Sequence, residues 1–149
     1  MSNIVSRAID SMSIENIQMA REAEEYVKTF EQIDVPLYHS IHDGIYTRTA
    51  MLYKGETMVG AHIIVPTTLI VSGHLIVCIG DENIVVEGVR TIIAERNRKQ
   101  VLTAIKDTCI TMCFRTNAKT VKEAEDEFTS EPHNLASRLD SATNIIIGE

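Results

Sequence analysis

The chain has 149 residues, 44% hydrophobic and 23% charged, the balance of one globular unit able to bury its own core. Its net charge of −7 sits on the flanks: residues 1–34 and 117–149 each carry three basic and seven acidic side chains, against eight and seven in residues 35–116. The absence of a basic stripe, of an apolar run near ~18 residues and of an apolar leader core argues against nucleic-acid binding, a membrane span and secretion, so an intracellular product is expected.

In chain order, residues 4–12 (Ile4, Val5, Ala8, Ile9, Met12) show weak helical periodicity suited to pairing with a neighbouring subunit. Ser13 can cap a helix predicted from Ile14 to about Phe30, with Glu15 facing the positive end of its dipole. Ile17, Ala20, Ala23, Val27 and Phe30 lie on one stripe, expected to pack on the chain's own β structure, a partner-binding face being the other reading. Val35-Pro36 ends any helix, because the residue before proline avoids the α region. His39 and His42 then fall in a polar loop, where a metal clip across a helical turn is not expected. From Gly44 to Tyr53 the pattern alternates as a strand, with Tyr46, Arg48, Ala50 and Leu52 on one side.

From Met51 to Phe114, short β-branched runs follow one another: Ala61–Val65, Leu69–Val71, Leu75–Ile79, Ile84–Val86, Thr91–Ala94, Val101–Ile105 and Thr108–Phe114. Glycines punctuate them near the ~8–12-residue spacing of an all-β sandwich or barrel. Ser72-Gly73 and Gly80-Asp81-Glu82-Asn83 read as tight turns, with His74 on the surface after the first. Cys78, Cys109 and Cys113, an odd number inside apolar runs, read as reduced structural thiols. Beyond them, Thr120 to Glu123 form a capping box for a helix from Val121 to Phe128, with Val121, Ala124 and Phe128 on its apolar edge. Pro132 stops it, a helical turn is possible at Leu135–Leu139, and Ile145-Ile146-Ile147 suits a strand added to a sheet edge, its own or a neighbour's.

This β stretch resembles the cupin superfamily, a double-stranded β-helix (jelly-roll) barrel built on two glycine-led motifs. Gly55, Ala61-His62-Ile63, Pro66 and Gly73 follow the first motif; Gly88, Glu95, Asn97 and Gln100 follow the second. The flanking runs around Ile33–Gly60 and Asp107–Phe128 are similar to small cupin-like proteins of tailed bacteriophages. The resemblance implies a mainly β fold: a cupin-like barrel over residues 35–116, an N-terminal amphipathic helical segment over 1–34, and a short helix plus tail over 117–149, all in one globular unit. The family's metal ligands would fall on Ala61, Ile63, Pro66 and near Gln100, none of which offers imidazole or carboxylate. His62 lies between two of these positions, and strand alternation turns it away from the barrel axis. No metal and no cofactor are therefore expected.

Arg90, Arg96, Arg98 and Lys99 are the only basic concentration, placed by the resemblance at the barrel mouth, where they could hold a phosphate or carboxylate; the other reading is a solvated loop or an interface with acidic flanks. Some cupin-fold sugar epimerases use a His and a Tyr, parts in which His62 and Tyr46 or Tyr53 could be cast. No catalytic constellation requires it, and the reading leans against an enzyme. The leading expectation is a metal-free, non-catalytic phage protein, a virion component or an accessory factor in the host cytoplasm. It would act by self-association and docking on other phage proteins, with Ile17, Val27, Phe30, Ile145, Ile146 and Ile147 at the interface. The alternative is a module capturing a phosphorylated or acidic small molecule; a metal-independent isomerase comes third. Many Ile, Val and Leu with few aromatics suggest a filled barrel interior.

Overall fold

In the computed structural model, which describes residues 8–138 and 143–148, the elements run β1 (Ala8–Ile9), α1 (Ile14–Val27), β2 (Leu37–His42), β3 (Ile45–Leu52), β4 (Thr57–Val59), β5 (Thr67–Cys78), β6 (Asn83–Ala94), β7 (Val101–Ala104), β8 (Thr108–Arg115), α2 (Val121–Phe128) and β9 (Thr143–Ile147). β5 and β6 carry the architecture. They pair antiparallel from Thr67↔Ala94 to Cys78↔Asn83, closed by a turn in which Gly80 takes φ +94°. The first half of β5, Thr68 to Ser72, also pairs with β8, and its second half, Leu75 to Cys78, pairs with β7. One long hairpin thus serves two sheets. The first runs β1-β6-β5-β8-β3-β2-β9; the second runs through β5, β7 and β4. Folded face to face, they make the cupin-like jelly-roll barrel that the resemblance implies.

The hairpin changes sheet where Gly73 pairs with Gly88. Both have positive φ, +146° and +84°, and both share the inward parity of their strands. Ser72-Gly73 is therefore a mid-strand corner rather than the expected turn. Leu69–Val71 and Leu75–Ile79 belong to one strand, as do Ile84–Val86 and Thr91–Ala94, and His74 lies within β5. Glycine relaxes the strand's handedness without breaking its pairing, a distinction that composition does not carry. Alternation sets the core: Leu69, Val71, Leu75 and Val77 of β5 face Tyr46 and Leu52 of β3, Leu102 of β7, and Ile110 and Met112 of β8 in one buried cluster.

Three other expectations change. Ala61–Val65 is an irregular segment held by an isolated bridge, in which Ile63 N–H donates to Arg98 O at 2.8 Å and Ile63 O accepts from Asn97 N–H at 2.8 Å. The polar loop expected at His39 and His42 is β2, turned into β3 by Asp43 and Gly44, both at positive φ. Residues Ala8–Ile9 form a strand on the chain's own β6, with Ile9 and Met12 buried, while Ile4 and Val5 lie outside the described residues.

Helix α1 starts at the Ser13 cap, whose side chain accepts from Asn16 N–H, but ends at Val27. Thr29 Oγ1 and Gln32 Nε2 donate to the carbonyls of Tyr26 and Val27 and close the last turn, leaving Phe30 beyond the helix and 57% exposed against Tyr26. Of the stripe only Ala20 is fully buried; Ile17 and Val27 are half-buried. In α2, Val121, Ala124 and Phe128 are buried as expected, although Glu123 caps back onto Lys119 N–H rather than Thr120. Two 3-10 turns follow at Pro132–Asn134 and Ala136–Arg138; Leu139 lies outside the described residues. β9 then pairs parallel with β2, so the isoleucine triplet extends the chain's own sheet. Ile145 remains exposed there, and the side chains of Ile146 and Ile147 are not described. Among the described residues, no helix is long and apolar enough to cross a membrane.

Candidate functional site

Between the two sheets lies a cavity of about 470 Å³, within the ~300–1,000 Å³ range of small-molecule sites. Its walls are the inward rows of the barrel: Leu37 and Ala50 on one side, Leu69, Val71, Leu75 and Val77 on another, Ile110 and Met112 on a third. Exposed Gln32, Ile33 and Asp34, from the α1–β2 connection, line the end that reaches solvent. The expectation of a filled interior is overturned. Sheets packed ~10 Å apart need large side chains to meet across the gap, and these walls are medium aliphatics, with Phe128 the one aromatic among them.

Besides Gln32 and Asp34 at the solvent end, the polar residues of the lining are Glu24, Arg48, Thr57, Arg98, Gln100 and Asn134, of which Arg48 and Arg98 are the cations. Arg98 follows Asn97, a non-glycine residue at φ +62°, and folds inward to 1% exposure. Its guanidinium donates to Glu95 O at 2.5 Å, Thr67 Oγ1 at 2.5 Å and, loosely, Val65 O at 3.5 Å, while Nε has no hydrogen-bond partner. Burial lowers its pKa to about 10, partly opposed by Glu95. Arg48, on the inward parity of β3, donates through Nη1 to Glu125 at 3.1 Å and lies over the Phe128 ring at 5.5 Å.

Behind the cavity, Glu125 of α2 is buried and receives Arg48, Ser137 and Arg138. Arg48 also reaches Tyr46 Oη at 3.5 Å, and Tyr46 Oη lies 2.7 Å from His39 Nδ1. Burial, then the Arg48 charge, hold His39 down at about pKa 4, so the ring is neutral; burial raises the Tyr46 phenol.

A second cluster fastens α1 to the barrel. Lys99 is fully buried, its Nζ donating to Glu131 at 2.5 Å, Glu24 at 2.9 Å and Gly60 O at 3.0 Å. Glu131 also receives Arg21 at 2.8 Å and His62 N–H at 2.9 Å. Burial alone would raise the Glu131 carboxyl, but the hydrogen bonds from Lys99, Arg21 and His62 outweigh it and bring it to about 2.

The four basic residues expected together at the mouth are thereby separated. Arg90 is exposed in β6 near the corner, Arg96 is exposed, Arg98 is in the cavity wall and Lys99 is locked in the α1 cluster. The carbonyls of the turn around Asn97 and the carboxylates of Glu24 and Glu131 drew Arg98 and Lys99 inward, so neither is a solvated loop residue. His62 meets neither tyrosine: its Nδ1 lies 3.0 Å from Ser130 Oγ, burial lowers its pKa, and Tyr46 is paired with His39 instead. The sequence reading missed Arg48, Glu24, Glu125 and Glu131 as site-forming groups. Arg48 alone carried a signal, sharing a strand face with Tyr46, Ala50 and Leu52.

The residues do not fit the metal that the cupin resemblance implies. Ala61, Ile63 and Gln100 line the cavity and His62 does not. Among the described residues no three of His, Cys, Asp and Glu are grouped to hold an ion.

Fold and cavity together define a small cupin-like β-barrel with a mainly aliphatic interior that opens to solvent at one end. In sequence, no family model matches the chain. Nor does any curated protein match it. In structure it is similar to a cupin superfamily protein of Desulfitobacterium hafniense DCB-2, at 10% identity and TM-score 0.48, over 61% of this chain and 87% of that one. It is also similar to a cupin-2 domain protein of Shewanella frigidimarina NCIMB 400, at 13% identity and TM-score 0.43, over 66% of this chain and 98% of that one. Salicylate 1,2-dioxygenase of Pseudoaminobacter salicylatoxidans matches at 10% identity and TM-score 0.49, over 72% of this chain and 34% of that one.

Proposed function

We propose that the barrel is a metal-independent binding module whose small-molecule ligand occupies its interior. The observation that carries this reading is the cavity of about 470 Å³, apolar over most of its wall and continuous with solvent beside Gln32 and Asp34. At the ~30 Å³ that one water takes in the liquid, the cavity equals about fifteen waters, room for a small organic molecule. The acidic-ligand alternative of the sequence analysis is kept in substance and moved from a basic mouth to the interior. A ligand present at ~100 times its Kd adds about 2.7 kcal/mol to stability, which for a chain of this length raises Tm by about 5–10 °C. A thermal-shift screen with apolar and amphiphilic molecules of about ten to fifteen heavy atoms should find such a compound, and Ala50→Phe, which fills the cavity from its wall, should abolish the shift. If no compound shifts Tm, the interior is not a binding site.

Self-association is the second reading, favoured by one row of side chains. Val85, Val89 and Ile93 project from the outer face of β6 at 63%, 69% and 58% exposure, in a row that Glu87 and Thr91 interrupt. Exposed Tyr26 and Phe30, in edge contact, add a second apolar spot at the C-terminal end of α1. A second copy of the chain is the partner this reading names, with other phage proteins as further candidates, in a virion or in the host cytoplasm. Light scattering behind size exclusion should then give a discrete oligomer that Val89→Asp converts to monomer. A wild-type monomer at tens of micromolar removes this reading.

A further inference from the structure

We infer that the cavity selects an anionic amphiphile, a carboxylate head on an aliphatic body of about ten carbons, with the head drawn to the Arg48–Arg98 side of the wall. This rests on the interior-binding reading above and specifies its ligand.

The argument is a balance of buried charge. Arg98 is enclosed, yet every acceptor it reaches is neutral: two backbone carbonyls and the Thr67 hydroxyl. Among the described residues it has no ion pair, and its Nε–H has no acceptor. A buried guanidinium without a counter-ion is costly, and proteins normally supply one. Arg48 does have a carboxylate, Glu125, but Glu125 is shared with Arg138, so two guanidinium groups lean on one buried anion. Asp126 compensates Arg138 only at its exposed outer side.

The nearby acids correct this only in part: the Glu95 carboxylate offsets Arg98 electrostatically, but it is exposed and outside the cavity lining. Glu24 is consumed by Lys99, and Asp34 is exposed at the solvent end. The wall therefore carries positive charge facing a low-dielectric space, where a charge is felt over more than contact distance. A neutral ligand would leave that charge unanswered, and a cation would add to it. A small inorganic anion would answer it but leave the aliphatic volume between Leu37, Val71 and Val77 empty. Only an anion with an apolar body satisfies both parts of the wall.

Isothermal titration of the intact protein at pH 7 with decanoate, 1-decanol and decyltrimethylammonium tests this. The three share a chain and differ in head charge. Decanoate is expected to bind about tenfold or more tightly than decanol, and the cation not measurably. Arg98→Met should bring decanoate and decanol to within about threefold of each other; Arg48→Met gives the same comparison should Arg98→Met fail to fold. Equal affinity for decanoate and decanol in the wild type would overturn the charge inference and leave the cavity a binding site. Binding of none of the three, together with a negative thermal-shift screen, would overturn both.

Discussion

Gly73→Ala is expected to destabilise the protein by about 3–5 kcal/mol, enough to unfold a chain of ordinary stability under mild denaturant. The cause is steric. Gly73 sits at φ +146°, in a region that side chains rarely adopt, and a Cβ there would meet Thr108 Cα at 2.7 Å and Asp107 O at 2.8 Å. Those are backbone atoms of the adjoining β8 and its leading turn, pinned in turn by Thr108 Oγ1, which accepts from His74 N–H at 3.0 Å and donates to Lys106 O at 2.7 Å. Nothing near the corner can move away cheaply. The partner glycine supplies the control. At Gly88 φ is +84°, but the nearest atom to an added Cβ is the end of the Arg90 side chain at 3.4 Å. Gly88→Ala should thus cost only the backbone strain, about 1–2 kcal/mol. Urea unfolding of the two variants decides the matter: similar losses would mean that the corner is not built on the close approach of β5 to Thr108.

Lys99→Met should cost about 3–5 kcal/mol, because it strands Glu131 and Glu24 beside a fully buried apolar group. Part of that effect is readable by pH. The Glu131 carboxyl, ordinarily near 4.5, lies at about 2 in the fold because of Lys99, Arg21 and the His62 N–H. A depressed carboxylate contributes stability that is complete above its unfolded pKa and disappears as pH falls through the folded one, so this contribution fades between about pH 4.5 and 2. The wild type should lose a few kcal/mol across that window, and Lys99→Met should lose less, since its Glu131 is held less far down. An acid limb of equal size in both proteins would show that Lys99 is not what holds the carboxylate. Since the cluster joins α1 to the irregular segment at His62 and to the residue after α2, its loss should also loosen α1, seen as faster amide exchange over residues Ile14–Val27.

The elements whose signals are local were legible in the sequence. Ser13 caps α1 and Thr120 caps α2, because capping is decided within one turn of chain. The alternation of β3 grouped Tyr46, Arg48, Ala50 and Leu52 on one side, since pleating fixes the face of every second residue; that this side is the inward one came only with the fold. That Ala61, Ile63 and Gln100 offer no imidazole or carboxylate was a matter of residue identity alone. What the sequence could not determine is which distant groups meet. The same glycine that marks a turn in one context marks a paired corner in another, and only the pairing of Gly73 with Gly88 separates the two. A basic run was legible as a run, but its division between surface, cavity wall and α1 cluster depended on Glu24 and Glu131, 75 and 32 residues from Lys99 in sequence. The cavity is set in the same way: the side-chain sizes are written in the chain, whereas the separation of the two sheets that leaves space between them is a property of the closed barrel.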